Sequence, residues 1–367
     1  MIRTVFTQKD ATIYKDAGFK TLNTGLDEIL ELRNALYSIT LGNIAETVVT
    51  ASSLSRILLK FDLTDISSSI SSGQITNPKY YLKLNASALQ SLALDYTIEA
   101  YPISQSWTNG TGKKASNPII SDGASWDYKT SGSIWSGSSA TPIGGATWFT
   151  QSAYAATQVF SYNSATNDVD MDVSNIVNAW VSGSLTNEGF ILKFTDAIET
   201  SGLQYGALNF FSRDTNTIYP PTLQVRWNDS SFSTGSLTAV DINSMNISVN
   251  GLKDRYKLDE IAKINLHTRD RFPAKAFVTS SRYLTSKFIP SCSFYSVKDA
   301  HTEETLISFD TGSTKISCNS SGNYFNFDMS GLQPERYYKF VLKVQDSASN
   351  PSNVVILDNK FYFKVER

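Results

Sequence analysis

Residues 55–66 read SRILLKFDLTDI, and this stretch decides the fold class. Every second residue from Ile57 to Leu63 is apolar, while the residues between them include Lys60 and Asp62. Successive side chains of a β-strand point to opposite faces, so a period of two predicts a half-buried strand here.

The same alternation recurs along the chain, and Ser, Gly, Asn and Pro separate the recurrences as in turns. The pattern is typical of a β-sandwich or a β-barrel, and it predicts an all-β protein. The recurrences are residues 80–85, 94–101, 189–194, 207–212, 222–227, 264–267, 324–329, 338–344 and 361–365.

One segment has helical spacing instead. Ile176, Val177 and Trp180 share one helical face, Asp172 or Ser174 can cap the start, and a glycine at position 183 can end the helix. We therefore predict one short helix in residues 172–183, packed across an end of the first sandwich.

A long stretch without clear alternation covers about residues 107–167. It is rich in Gly, Ser, Ala and Asn, and Trp126, Trp135 and Trp148 are scattered through it. A disordered linker does not normally carry three tryptophans, so we predict a long, ordered loop insertion.

The length of 367 residues is more than one β-sandwich needs and suggests two domains, or three if they are small. Residues 228–237 are mostly small and polar, so we place the domain boundary there, with domains at residues 1–230 and 231–367. In the second domain Leu332, Pro334 and Tyr338 have the spacing of a tyrosine corner, which predicts an immunoglobulin-like (Ig-like) β-sandwich.

Charge and hydropathy suggest neither a nucleic-acid nor a membrane partner. Lys and Arg total 32 and Asp and Glu total 34, so the net charge of -2 gives no electrostatic reason to expect nucleic acid. No run approaches the roughly 18 apolar residues of a membrane span. The first residues lack the apolar core of a secretion signal, so we expect no export by that route. Cys292 and Cys318 are expected to be free, buried thiols rather than a disulfide framework.

Six segments of the first domain together resemble a known family. Residues 9–228 resemble the DNRLRE family of β-sandwich domains, which is related to carbohydrate-binding modules and occurs in bacterial surface proteins and phage virion proteins. The resemblance implies a jelly-roll-like sandwich. The segments are KDATIYKD (9–16), LNTGLDEILEL (22–32), SRILLKFDLTDI (55–66), TIEAYPISQSWTNGTG (97–112), VDMDVSNIVNAWVSGSLTNEGFILKF (169–194) and NFFSRDTNTIYPPTLQVRW (209–227).

Phage members of this family often carry a Gly-Thr-Gly-Lys turn followed by an Asp-Gly-x-Ser-Trp stretch, which are residues 110–113 and 122–126 here. The second domain has a more diffuse resemblance to C-terminal domains of virion proteins from large marine tailed phages. We interpret the family motifs as structural. On this interpretation Asp62 caps a turn or pairs with a cation, and Arg213 bridges strands or holds a loop carbonyl.

The sequence offers little for catalysis or metal binding. His267 and His301 lack the partners of a zinc site, and no nucleophile elbow, phosphate loop or dinucleotide fingerprint occurs. Asp168, Asp170 and Asp172 alternate as in a calcium ligand set, but they lead into a helix cap, and no glycine turn or distal Glu follows. We therefore expect no catalytic residue, metal or cofactor, and a protein that is not an enzyme.

The aromatic residues of the insertion are the candidate binding residues. Aromatic faces stack on sugar rings, so Trp126, Tyr128, Trp135 and Trp148 are possible glycan contacts. The alternative is that the three tryptophans form a small core of their own, while Trp107 and Trp180 are expected to be core residues.

These observations and the resemblance favour a non-enzymatic virion structural protein of a tailed bacteriophage, associated with the tail or baseplate and acting in assembly or host adhesion. It would be assembled in the host cytoplasm. Expected partners are other virion proteins, further copies of the chain in a homo-oligomer, and a host surface glycan. The alternative is a glycan-binding module of a bacterial surface or secreted protein. A head decoration protein and a polysaccharide-degrading enzyme are less favoured.

Overall fold

The structure is a computed structural model, and it describes residues 1–16, 18–40, 48–88, 94–135, 144–163, 166–273, 285–347 and 351–367, without the side chains of residues 36–40 and 48–52. It is an all-β sandwich fold with few helices, as the alternation predicts. The chain forms two compact units. The N-terminal unit contains Val5–Ser68 and Lys79–Gln224, and the C-terminal unit contains Met1–Thr4, Ser69–Pro78 and Val225–Arg367.

The first part of the chain supplies twelve of the described strands and three short helices. They are β1 (Ile2–Tyr14), β2 (Ile29–Thr40), β3 (Val48–Phe61), α1 (Thr64–Ser71), β4 (Lys79–Leu84), β5 (Tyr96–Pro102), β6 (Tyr128–Thr130), β7 (Ser133–Ile134), β8 (Ala156–Phe160), β9 (Val169–Asp172), α2 (Ser174–Val181), β10 (Phe190–Phe194), α3 (Asp196–Thr200), β11 (Gly206–Phe211) and β12 (Thr222–Arg226).

Strand β3 connects the parts of the ten-stranded network. Its first half pairs with β2, from Val48 opposite Thr40 to Leu54 opposite Asn34. Its second half pairs with β1 on one side and β10 on the other. The strand order is β8-β5-β10-β3-β1-β12-β4-β9, and β11 continues the branch through β2. One long strand therefore pairs with β2 over its first half and with β1 and β10 over its second half, and so belongs to two parts of the sandwich.

The half-buried strand predicted at residues 56–63 is a strand to Phe61, but both of its faces are covered. Leu58 and Leu59 point to opposite faces, and both are fully buried. Leu59 faces the interior of the sandwich, whereas Leu58 belongs to a second core that includes tryptophans of the insertion. The sequence pattern missed this because the covering residues are distant in the chain.

The predicted helix is confirmed as α2. Its buried residues include Ile176, Val177 and Trp180, and the Asp172 carboxylate accepts a hydrogen bond from the Ser174 amide at 2.9 Å. Gly183 has a φ of 76°, which suits a glycine after a helix.

The prediction of a single helix is wrong, because α1 and α3 are also helical. Asp62 begins α1 by accepting hydrogen bonds from the Thr64 amide and hydroxyl at 3.0 and 2.6 Å, and Thr195 caps α3. Helix α1 was missed because its sequence, TDISSSIS, has only two apolar residues, and the five residues of α3 are too few to show a helical period. None of the helices in the described ranges is long and apolar enough to cross a membrane.

The predicted insertion ends earlier than residue 167. Strand β8 pairs with β5 from Ala156 opposite Ala100 to Phe160 opposite Tyr96, so the main sheet resumes at residue 156. Within β8 only the two end residues are buried, which left the segment without a clear alternation. Strands β6 and β7 form a small separate hairpin inside the insertion.

The C-terminal unit is a β-sandwich of a four-stranded and a five-stranded sheet. The strand orders are β13-β15-β19-β18 and β14-β21-β20-β16-β17. Its strands are β13 (Met245–Asn250), β14 (Arg255–Lys257), β15 (Ile261–Asp270), β16 (Phe294–Asp299), β17 (Thr305–Ile307), β18 (Ser317–Asn319), β19 (Gly322–Asp328), β20 (Arg336–Gln345) and β21 (Val354–Glu366).

An aromatic core lies between these two sheets. The rings of Tyr295 and Phe325 stack with centroids 4.3 Å apart, and those of Phe340 and Phe363 with centroids 4.6 Å apart. The predicted tyrosine corner is confirmed, because the Tyr338 hydroxyl donates a hydrogen bond to the carbonyl of Gln333 at 2.8 Å. Both cysteines are free and buried, as predicted.

Candidate functional site

The insertion covers the outer face of the main sheet in the N-terminal unit. Trp126 and Trp135 pack with Leu58 of β3 and Ile191 of β10 in one buried cluster, which also includes Trp107. Trp135 is fully buried, and its indole nitrogen donates a hydrogen bond to the carbonyl of Ser125 at 2.9 Å. Neither face of the Trp135 ring is therefore accessible to a ligand.

The motifs that carry the family resemblance converge on one buried side chain, that of Asn23. Its amide nitrogen donates hydrogen bonds to the carbonyls of Asn109 and Ala124 at 2.7 and 2.9 Å. Its amide oxygen accepts hydrogen bonds from the backbone of Gly25 and Gly112 at 3.2 and 2.9 Å. One side chain thus satisfies four backbone groups of three chain segments.

The glycines of the Gly-Thr-Gly-Lys turn are required by this packing. A Cβ atom at residue 110 would overlap the Asn23 side chain, and one at residue 112 would overlap the Asn23 backbone. Residue 110 also has a φ of 79°, which favours glycine. The Asp-Gly-x-Ser-Trp stretch locks the turn, because Asp122 accepts hydrogen bonds from the Thr111 amide and hydroxyl at 2.9 and 2.6 Å.

A second set of contacts fixes the far end of the insertion through Arg56 of β3. Its guanidinium donates hydrogen bonds to both carboxylate oxygens of Glu199, at 3.1 and 2.6 Å, and to the carbonyl of Gly145 at 2.7 Å. It also lies 4.9 Å from the ring centroids of Trp126 and Trp148. The cation therefore holds two tryptophans of the insertion against the sheet.

Lys193 of β10 extends this charged cluster. Its ammonium group donates hydrogen bonds to the Phe194 carbonyl at 2.6 Å and to Asp196 at 2.7 Å, and its side chain is 1% exposed. Glu199 and Glu99 lie 3.7 and 3.8 Å from the same nitrogen. The hydrogen bond from Lys193 lowers the pKa of Asp196, so this carboxylate stays ionised. The ammonium group of Lys193 is therefore neutralised by carboxylates of the same unit.

The four aromatic residues proposed as glycan contacts therefore differ in accessibility. Trp126 and Trp135 are buried, whereas Tyr128 and Trp148 are half-buried. The structure brings Trp126 and Trp148 together around Arg56, and it places Tyr128 on the separate β6–β7 hairpin. Tyr128 and Trp148 are the two that retain surface for contact.

A groove of about 490 Å³ lies elsewhere on the N-terminal unit, between the end of β3, α1 and the end of α2. Lys60 in the groove pairs with Glu188 at 3.0 Å, and the Asn187 amide donates a hydrogen bond to the Phe61 carbonyl at 2.9 Å. The lining offers hydrogen-bond donors and acceptors beside an aromatic ring, so it suits a small polar ligand. The lining includes Gln8, Lys60, Asp62, Ser68, Trp180 and Asn187.

The carboxylates considered for calcium have separate structural partners. Asp168 accepts a hydrogen bond from the Ala86 amide at 2.7 Å, Asp170 pairs with Lys83 at 3.6 Å, and Asp172 accepts a hydrogen bond from the Ser174 amide at 2.9 Å. Within the described ranges, no group of three His, Cys, Asp or Glu side chains is arranged to hold a metal ion.

Arg213 holds a carbonyl of strand β1 and not, as predicted, one of a loop: its guanidinium donates a hydrogen bond to the carbonyl of Gln8 at 2.6 Å. Its backbone amide donates to the buried carboxyl of Asp10, also at 2.6 Å. Burial raises the pKa of Asp10 to about 7, and this outweighs the opposing effects of the hydrogen bond and charge of Arg213.

Sequence reasoning missed the residues that organise this region, namely Asn23, Arg56 and Lys193. The available signal was an arginine and a lysine in strands that are otherwise mostly apolar, since a buried cation needs a partner. That signal marks the cations but not their partners: Glu199 follows Arg56 by 143 residues.

No protein-family model matches this chain, and no curated protein matches it significantly.

Proposed function

We propose that this chain is a non-enzymatic structural protein of a tailed-bacteriophage particle, associated with the tail or baseplate. It acts in assembly or host adhesion by burying its surfaces against other virion proteins and against further copies of itself. It binds no cofactor. It is assembled into the particle in the host cytoplasm and is released from the cell as part of the virion.

The observation that carries the proposal is the Asn23 network. The two motifs typical of phage members of the family, residues 110–113 and 122–126, are engaged in holding the insertion on the sheet. In the same unit Arg56 and Lys193 are engaged with carboxylates of that unit. These contacts hold the insertion in place on the sheet, so the N-terminal unit can offer a defined surface to a partner protein.

Each unit offers apolar surface to a partner. In the N-terminal unit Val159 and Tyr162 are 75% and 60% exposed at the end of β8. In the C-terminal unit Val354 and Ile356 are 45% and 61% exposed at the start of β21. A specific interface buries about 800 Å² per partner, and tyrosine, as at residue 162, is one of the residue types that contribute most to binding near its centre.

The test is to locate the chain in a lysate of the infected host. Particles are separated on a density gradient, the chain is quantified by mass spectrometry, and bound antibody is imaged by electron microscopy. We expect the chain to co-sediment with intact particles in a fixed ratio to the tail proteins and the antibody to label one part of the tail. A chain that stays at the top of a gradient containing intact particles would contradict the proposal.

Glycan binding is the second candidate function, and the specific observation that favours it is the groove beside Trp180. The groove presents the side chains of Lys60, Asp62 and Asn187 as hydrogen-bonding groups for a sugar, while the Trp180 ring beside them is buried. In the insertion, Trp148 and Tyr128 each retain some exposed aromatic surface.

A glycan array with three proteins separates these two surfaces. If the groove binds, Asn187→Ala loses the signal while Trp148→Ala retains it; if the insertion binds, the outcome is reversed. Wild-type protein that binds no glycan on an array of host surface polysaccharides contradicts this second candidate and leaves the structural role unaffected.

A further inference from the structure

Two Asn-Gly pairs occur in the sequence, at residues 109–110 and 250–251, and their surroundings differ. Asn is among the chemically labile residues of proteins. When glycine follows, no side chain hinders the approach of the next backbone nitrogen to the Asn side chain. The fate of each pair then depends on how its side-chain amide is held.

The amide of Asn109 is held by two hydrogen bonds. Its oxygen accepts a hydrogen bond from the backbone of Asp10 at 2.9 Å, and its nitrogen donates one to the carbonyl of Gly25 at 2.7 Å. The following Gly110 is confined against Asn23. Cyclisation at Asn109 therefore requires both hydrogen bonds to break first.

The amide of Asn250 has no such restraint. Asn250 is the last residue of β13 and is exposed, and in the part of the chain that the structure describes its side chain makes no hydrogen bond. The following glycine, residue 251, is also exposed, and a Cβ atom there would meet nothing within 4 Å. Residues 110 and 251 both have positive φ angles, 79° and 75°, so the two glycines are alike in φ while the two asparagine side chains differ in restraint.

We propose that Asn250 is a site of spontaneous deamidation in the folded protein and that Asn109 is protected. The backbone nitrogen of residue 251 attacks the Asn250 side-chain carbonyl carbon. The new N–C bond forms, the bond from that carbon to the side-chain nitrogen breaks, and this nitrogen leaves as ammonia with the proton of the attacking amide. Water then opens the cyclic imide at either carbonyl, which gives aspartate or isoaspartate.

The modification changes the end of β13 in two ways. It adds one negative charge to a chain whose formal net charge is -2. The isoaspartate product also inserts an extra carbon into the backbone at the residue that pairs with Asn265 of β15. The end of this strand then loses its register with β15.

The experiment compares three asparagines in the intact, folded chain during incubation at mildly alkaline pH. Peptide mapping by mass spectrometry follows Asn250, Asn109 and Asn246. Asn246 is the matched control for exposure, because it is also exposed on β13 but is followed by Ile247. Asn109 is the matched control for sequence, because glycine follows it too.

We expect Asn250 to convert roughly 30-fold faster than Asn109, since two hydrogen bonds protect Asn109, and this ratio corresponds to about 2 kcal/mol in barrier. Asn246 should stay unchanged over the same time. In chain unfolded by urea, Asn109 and Asn250 should convert at similar rates, and Asn250→Gln should remove the fast event from the folded protein. Equal rates at Asn109 and Asn250 in the folded chain, or a rate at Asn250 no faster than at Asn246, would overturn the proposal.

Discussion

The Asp10 carboxyl is buried in the N-terminal unit, where it accepts a hydrogen bond from the Arg213 amide. Its pKa is about 7 in the folded chain, against about 3.9 when unfolded. The folded chain therefore keeps a proton that the unfolded chain releases. The resulting stability is complete below about pH 4 and is lost as the pH rises through about 7.

Asp10→Asn should stabilise the protein at pH above about 7 and have little effect near pH 4. The amide cannot ionise, yet its oxygen still accepts the hydrogen bond from Arg213. Three pKa units correspond to a gain of up to about 4 kcal/mol at alkaline pH, measured by urea unfolding across the pH range.

Asp62→Asn is the control for this pH dependence, because hydrogen bonds from Thr64 lower the pKa of Asp62. Its carboxylate stabilises the fold above its unfolded pKa, so this variant should gain nothing at alkaline pH. An Asp10→Asn protein that is less stable than wild type above about pH 7 and equally stable near pH 4 would show that the ionised carboxylate is the stabilising form.

Arg56 and Glu199 form a buried ion pair whose side chains are 10% and 5% exposed. Arg56→Met leaves the Glu199 carboxylate with one close cation, Lys193 at 3.7 Å, and releases Gly145 and the tryptophans of the insertion. We expect a loss of about 3–5 kcal/mol of unfolding free energy, because removing one partner of a buried ion pair leaves the other carboxylate without its hydrogen-bonded cation. Urea unfolding followed by tryptophan fluorescence measures it.

The matched control is Lys60→Met, which breaks a pair with Glu188 that is more exposed and should cost less than about 1 kcal/mol. The double variant Arg56→Met, Glu199→Gln should recover part of the loss, since it removes both charges. Equal losses for the Arg56 and Lys60 variants would mean that Arg56 does not hold the insertion.

At the scale of elements, one side chain connects the two outermost strands of the N-terminal sheet order. The Gln158 amide on β8 donates a hydrogen bond to the Asp168 carbonyl at 3.2 Å and accepts one from the Asp170 amide at 2.9 Å. In a longer sheet, the backbone amide and carbonyl groups of a neighbouring strand would make these two hydrogen bonds with β9. Gln158 therefore protects a strand edge that could otherwise pair with another chain.

Gln158→Ala should lower the unfolding free energy by about 1–3 kcal/mol and increase self-association, because it removes two hydrogen bonds and exposes the β9 edge. Urea unfolding and light scattering against protein concentration measure the two effects. Thr157→Ala is the control, since Thr157 is exposed on the same strand. A Gln158→Ala protein that remains as monodisperse as the control would contradict the edge-protection role.

The elements that the sequence predicted well are those specified by neighbouring residues. The tyrosine corner depends on Gln333 and Tyr338, five residues apart, and α2 depends on its own apolar face. The covered face of β3 and the early end of the insertion were missed. Both depend on pairings across long stretches of chain, which a local period does not encode.

At the scale of the whole molecule, a structural role depends on surface rather than on any single group. The proposed docking surfaces are centred on Val159 in one unit and Ile356 in the other. A charge placed at the centre of an interface is desolvated without a partner, so it weakens binding while leaving an exposed site stable in the free protein.

Val159→Lys and Ile356→Lys should each reduce incorporation into particles by about tenfold, the effect of roughly 1.4 kcal/mol, with an unchanged urea midpoint. The measurement is the ratio of variant to wild-type chain in purified particles after both are produced together. Leu203→Lys is the control, because Leu203 is 55% exposed and is not among the residues that define either surface. If all three variants enter particles as wild type does, the chain docks through other surfaces. If the control is lost equally, the defect comes from surface charge in general, and the two apolar sets are not the contact.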